Sequence, residues 1–354
     1  MKLKRLFCRF SIRFNTFLNT QSIALYFLTA VFLILSSARV ANSRSSSVQA
    51  HSRHRNATFR KSSAPFLSLE SWPEVAALSP HNVTFLDTVH ELPSAIENSN
   101  RKTTYLIADS YDYDVPSIGE DYYIDLIERH PLVQCVFAKN ALHASTRLSL
   151  LPLGPKWQYA SHEHYGEDKE DNWQTLRELS IGLHAPTEVD ISSRRGILLG
   201  HMTIAKRNVF GVILGFLLGR KRVVESRRNG IAQQVRAQLK SSLHTLRTSP
   251  VSFEQHLRLL RDHAFVISPP GNGKDCHRHW EALLAGASPI IIRDNALEKA
   301  LHSLPVWWVD SYHEVTEEAY AKQRARLADQ WKVANLHKLY LDWWKTFIIQ
   351  STCR

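Results

Sequence analysis

The chain has 354 residues, 44% of them apolar, which is enough for two ordinary domains with buried cores. Its formal charge is +11, yet residues 1–69 carry eleven Lys or Arg and no Asp or Glu, and without them 33 basic residues face 33 acidic ones. The body is neutral, which argues against a nucleic-acid-binding core, since that needs a basic patch of its own.

The leader comes first in chain order. Ile23 to Leu35 is almost wholly apolar, extended by Ser36, Ser37 and Ala38 and preceded by five basic residues and a weaker apolar stretch from Phe17. This pattern predicts a cytosolic tail over 1–16, a signal-anchor transmembrane helix over 17–38 and a body on the lumenal side. A cleaved signal peptide, with Ser36 and Ala38 as small residues at the cleavage site, and an acid-free transit peptide are the alternatives. Residues 39–65, rich in Ser, Arg, His and Asn, read as a flexible stem. Asn56-Ala-Thr58 and Asn82-Val-Thr84 are glycosylation sequons, which have meaning in a secretory chain. Cys8 precedes the apolar segment, so Cys135, Cys276 and Cys353 can form at most one intramolecular disulfide among themselves. No Cys/His spacing indicates structural zinc.

From residue 66 the pattern alternates strand and helix. Thr103–Ala108, Leu132–Ala138 and Leu148–Leu153 are strand candidates, and Tyr122–Arg129 is helical in character. A second series follows: strand Arg194–Gly200, helix Asn208–Leu218, strand Ala264–Ser268, a helix from Asp275 and strand Ser288–Ile292. The run at 208–218 is too short for a second membrane span and reads as a buried helix. Near the end, Leu336, Leu339, Tyr340, Trp343 and Phe347 fall on one helical stripe suited to core packing. Alternating short strands and helices predict an α/β fold with parallel sheets covered on both faces. A division near 185–195 gives an N-terminal half over 66–190 and a C-terminal half over 191–354.

The chemistry concentrates in "SPPGNGKDCHRHWEALL", Ser268 to Leu284. A Walker A loop would need Gly where Ser268 stands and Ser or Thr where Asp275 stands, so that reading fails. Pro269-Pro270 ends the preceding strand, while Gly271 and Gly273 permit a tight turn and close approach to a ligand. Asp275 is the expected N-cap of a helix whose free N–H groups face the turn, a general anion site at the carboxyl end of a parallel strand. At about 100° per residue, His277, Arg278 and Glu281 share one side of that helix, while Cys276, Trp280, Leu283 and Leu284 form the apolar side. Arg278 is placed to meet phosphate, and Glu281, one turn on, to accept hydrogen bonds from two adjacent sugar hydroxyls. An exposed Arg–Glu pair with no ligand is the bland alternative.

The stretch from Phe265 to Asp310 resembles the donor-binding segment of exostosin-type glycosyltransferases, and is most similar to their ribitol xylosyltransferase-like branch. The likeness rests on the turn Ser268 to Asp275, on His277 to Leu283, on Gly286 to Ile290 and on "LPVWWVD", Leu304 to Asp310. It is specific over about 60 residues, with a weaker echo in "WQYASHEHYGEDK" between the halves. The resemblance implies a GT-B architecture of two Rossmann-like halves facing a cleft. It also implies a nucleotide-sugar donor, expected as a UDP-sugar, held by the C-terminal half. Arg278 would then meet the diphosphate and Glu281 the ribose, with Asn272 and Gly273 lining the turn and Arg207 as a second diphosphate contact.

The implied reaction is inverting transfer to a glycan or glycoprotein acceptor in the Golgi lumen, without an obligatory metal or other cofactor. Its base would come from the N-terminal half, where Asp109, Asp112, His162 and His164 are the candidates. Asp112-Tyr-Asp114 also spells the Asp-x-Asp of metal-dependent GT-A enzymes, which the downstream segment argues against. Assembly as a homodimer or heterodimer stays open. Two other functions are the alternatives: a catalytically silent homologue that binds glycan or supports a partner enzyme, and a sulfotransferase. The second would want a phosphate loop where the acidic "DSYDYD" stands.

Overall fold

The structure is a computed structural model that describes residues 66, 71–79, 82–107, 121–141, 145–155, 169–180, 189–200, 230–247, 251–271 and 273–350. The expected tail, membrane span and stem, and the expected helix Asn208–Leu218, lie outside the described residues. No helix among the described residues is long and apolar enough to cross a membrane.

The first series begins with helix α1 (Trp72–Leu78), strand β1 (Val83–Leu86), helix α2 (Leu92–Glu97) and strand β2 (Thr103–Ile107). Helix α3 (Asp121–Arg129), strands β3 (Val133–Ala138) and β4 (Leu148–Leu150) and helix α4 (Lys169–Leu179) complete it. Its four strands form one parallel sheet in the order β1-β2-β3-β4. Alternation along the strands serves two cores, as a sheet covered on both faces requires. Tyr105, Ile107, Val136 and Ala138 face one apolar cluster with Leu92, Ile96 and Ile127, while Leu106 and Phe137 face the other.

The second series comprises β5 (Arg195–Leu199), β6 (His244–Leu246), α5 (Phe253–Asp262), β7 (His263–Ile267) and α6 (His277–Leu284). It continues with β8 (Ser288–Ile292), α7 (Asn295–Ala300), β9 (Trp307–Val309), α8 (Glu317–Lys332) and α9 (Leu341–Gln350). Its strands make a five-stranded parallel sheet in the order β6-β5-β7-β8-β9. The expectation of an α/β fold built on parallel sheets holds. β7 lies inside this sheet and is buried along its whole length, so the turn that follows it starts from a fixed point.

Two expectations are corrected. The strand expected over Leu148–Leu153 ends at Leu150, because Pro152 has no N–H to give a ladder and the Leu153 N–H goes to Asp275. The stripe from Leu336 to Phe347 is not one helix. A 3-10 turn, Leu336–Leu339, is followed by Tyr340 in extended conformation, and α9 then starts afresh. Tyr340 pairs with Phe66 through a backbone bridge and a ring contact of 5.1 Å. The helix therefore buries Leu341, Trp344 and Ile348, and leaves Phe347 39% exposed. Its aromatic rings reach back to the first series, Trp344 to Trp72 and Phe347 to Phe137.

Candidate functional site

The turn after β7 is fastened at both ends. The Ser268 N–H donates to the Ile290 carbonyl at 3.0 Å, extending the ladder to β8 by one bond. Beyond it the chain passes Pro269, Pro270 and Gly271 and enters α6 at Cys276. His279, fully buried on α6, holds the turn from inside: its Nε2 donates to the Lys274 carbonyl at 3.2 Å, and its Nδ1 lies 2.7 Å from Ser268 Oγ. A carbonyl can only accept, so Nε2 carries a proton in either charge state. Trp280, with no exposure, anchors the same helix in the core, a burial that contributes about 1.5–3 kcal/mol.

The expected N-cap is corrected: Cys276 occupies that position, with no side-chain capping bond, and Asp275 lies one residue outside. Asp275 is buried at 1% exposure, with Oδ2 accepting from the Leu153 N–H at 2.8 Å and Oδ1 from Trp280 Nε1 at 2.9 Å. Burial pushes its carboxyl up, against the pull of His279 and these two donors. The adjacent imidazole completes a clamp on the segment after β4: His277 Nδ1 donates to the carbonyl of Gly154 at 2.8 Å. Gly154 takes φ 67°, a left-handed conformation that glycine adopts without steric cost. The end of β3 also reaches the turn. A Cβ on Gly273 would lie 2.1 Å from Asn140 Cγ and Oδ1, so a larger residue there must displace the Asn140 side chain.

Arg278 stands in the first turn of α6, half-buried, with no hydrogen bond or ion pair among the described residues. Glu281 differs from its expected place. It is 6% exposed, and its Oε2 lies 3.0 Å from Nε2 of His256 on α5. Ser252 positions that helix, accepting from the Gln255 N–H at 3.2 Å in a reciprocal cap. Lys274 forms an ion pair with Asp294, itself the N-cap of α7. What remains is a guanidinium at the opening of a helix, at the carboxyl end of a central parallel strand, with a buried carboxylate behind it. Such a site can hold an anion and accept from a hydroxyl-rich ligand.

No family model matches the sequence, and no curated protein matches it. Solved structures overlap it loosely. The Anabaena protein HepE, in complex with UDP and glucose, matches with a TM-score of 0.39 at 10% identity, over 81% of this chain and 83% of that one. The α,α-trehalose 6-phosphate synthase of Burkholderia multivorans gives 0.37 at 10% identity, over 80% and 73%. An OtsA apo structure gives 0.36 at 11% identity, over 80% and 76%. At TM-scores below 0.5 the likeness carries no argument; the strand order and the turn stand on their own.

Of the residues expected at the site, Gly273, Asp275, His277, Arg278 and Glu281 come together around this turn. Asn272, Arg207, Asp109, Asp112, His162, His164 and the sequon residue Asn56 lie outside the described residues. Asn82 is exposed at the start of β1, apart from the turn. The residues that sequence reasoning missed are His279, Ser268, His256 and Asn140. Each acts through a tertiary contact with no local spacing signal. Only Gly273 hinted that something would press on it, without saying what.

Proposed function

We propose that the chain is a nucleotide-sugar-dependent glycosyltransferase of GT-B architecture. The observation that carries this is Arg278, without a protein partner among the described residues, at the first turn of α6 behind the Gly-containing turn. Its charge and the helix N-terminus would stabilise the diphosphate of a UDP-sugar as it departs. Glu281 would hold the ribose hydroxyls by its carboxylate, with Asn272 and Gly273 lining the turn and Arg207 as a second phosphate contact. The base stays assigned to the N-terminal half, at Asp109, Asp112, His162 or His164. Transfer would go to a glycan or glycoprotein acceptor, with inversion and without an obligatory metal. Cys135 is disulfide-bonded and the Asn82 sequon is exposed, which supports a lumenal body on a type II Golgi anchor.

One observation favours the silent homologue as a second reading: the carboxylate of Glu281 already faces His256. Thermal-shift screening of the full-length chain against a panel of nucleotide sugars tests both. Stabilisation by a UDP-sugar that Arg278→Ala and Glu281→Ala each abolish, with slow hydrolysis of the donor, supports the transferase. Binding without turnover would select the silent homologue, and a shift that survives both substitutions would end the site assignment. Turnover abolished by a chelator would overturn metal independence.

A further inference from the structure

A cavity of about 350 Å³ lies where β3 and β4 of the first sheet meet α7 and α9. That is within the range of small-molecule sites, which run from about 300 to 1,000 Å³. Its floor is apolar and buried, made by Phe137, Leu150, Ala300 and Trp344. Phe347, exposed at the mouth, stacks on Trp343 with ring centroids 4.8 Å apart and planes 13° apart, so the aromatic lining runs from floor to mouth. The charged lining is basic only. Lys299 and His302 are exposed at the mouth, Lys338 lies inside, and among the described residues no Asp or Glu joins them.

Lys338 is the informative member. It stands in the 3-10 turn between α8 and α9 and is 7% exposed. Its Nζ donates to the carbonyls of Ala300 at 3.3 Å and His302 at 2.9 Å, and lies 5.2 Å from the centroid of the Trp343 ring. Two carbonyls and a ring face carry no net negative charge. Among the described residues no carboxylate pairs with this ammonium, and burial pushes it down to about 8. A lysine this deeply buried is ordinarily paired. Capping the carbonyls at the end of α7 occupies two of its three N–H groups, but leaves its charge uncompensated beside an open cavity.

We propose that this cavity binds a small amphipathic carboxylate, its acid group meeting Lys338 and its apolar, ring-sized body lying on the floor of Phe137, Leu150 and Trp344. No residue of the donor turn lines the cavity, so the site does not depend on the nucleotide-sugar reading. A single negative charge suits the place. A phosphate monoester carries about 1.5–2 charges at neutral pH, and an apolar floor offers the second no partner. Lys299 and His302 stand in solvent, where an ion pair is worth little.

The test is equilibrium dialysis of the full-length chain with 1-naphthoate, its neutral match 1-naphthamide, 1-naphthyl phosphate, and acetate, which lacks the apolar body. Ser149→Trp, at a half-buried position lining the cavity on β4, fills the space, and only binding that it removes is counted. At pH 7, 1-naphthoate is expected to bind at least tenfold more tightly than each of the others. Its affinity should fall about tenfold from pH 7 to pH 9 as Lys338 loses its proton, while that of 1-naphthamide holds. Lys338→Met keeps the volume without the charge, so it should cost 1-naphthoate at least tenfold and leave 1-naphthamide within twofold. Equal affinity for the acid and the amide overturns the charge recognition, and tighter binding of the phosphate overturns the choice of a carboxylate. No binding of 1-naphthoate at millimolar concentration, or binding that Ser149→Trp leaves intact, overturns the site.

Discussion

Gly273→Ala is the most direct probe of the contact between the turn and the first sheet. The new Cβ would lie 2.1 Å from Asn140 Cγ and Oδ1 and 2.2 Å from Nδ2, more than an ångström inside ordinary contact. Asn140 sits at φ 55°, a conformation in which its backbone has little room, so its side chain must swing away. Overpacking of this size costs about 1–3 kcal/mol. Asn140→Gly removes the obstructing atoms and suits the left-handed backbone, so it should cost well under 1 kcal/mol by itself. The double variant should then recover most of the loss, giving a coupling of about 1–2 kcal/mol in a cycle of urea denaturation midpoints. An alanine at 273 that costs the same in both backgrounds would refute the contact and the docking of β3's end on the turn.

Further outcomes follow from the same geometry. Asp275→Asn puts an amide where both carboxylate oxygens accept, so either the Leu153 N–H or Trp280 Nε1 loses its acceptor; the cost is about 1–3 kcal/mol, read from the denaturation midpoint. His256→Ala leaves Glu281 buried beside a lost partner and should destabilise by a similar amount, while His256→Gln, which can still donate, should recover part of it. Lys338 is buried and donates to the carbonyls of Ala300 and His302, and burial pushes its ammonium down to about 8. The unfolded chain binds that proton more tightly, so stability should rise as pH climbs from about 8 toward 10, by at most about 3 kcal/mol. Lys338→Met should flatten this rise in midpoints measured across that range, and an unchanged slope would refute the assignment.

The sequence made the central strands legible because β2, β3, β7 and β8 are short apolar runs bounded by polar or turn residues. It concealed β1 and β6, which have four and three residues and too few positions to show a period. The turn was legible for a different reason: its prolines and glycines state their backbone needs directly. Local logic failed where a long-range partner outbid it. Asp275 is a natural N-cap, but its carboxylate is engaged by Leu153, 122 residues away, and the cap passes to Cys276. Glu281 likewise falls on the exposed side of a wheel drawn for an isolated helix; α5 brings His256 over it, and that side becomes interior. The stripe before α9 failed for a similar reason, since Tyr340 bridges to Phe66 instead of continuing a helix.

The polar atoms left over sharpen what the turn is for. Four buried side-chain atoms among the described residues have no hydrogen-bond partner: Asn140 Oδ1, Tyr312 Oη, Gln234 Nε2 and His263 Nε2. His263 stands at the opposite end of β7 from the turn. Asn140, after β3, lies against Gly273 of the turn, and Tyr312, in the 3-10 turn Tyr312–Glu314 after β9, feels the charges of Cys276 and Arg278. An orphaned buried group costs about 1–3 kcal/mol, so leaving both unmet is expensive unless a ligand completes them. Their chemistry differs: Asn140 Oδ1 accepts only, whereas the Tyr312 hydroxyl can donate. A fully deprotonated phosphate would serve Arg278 and Tyr312 and offer Asn140 no donor. A ligand that joins phosphate oxygens to hydroxyls would supply both kinds of partner, as the proposed nucleotide-sugar reading requires.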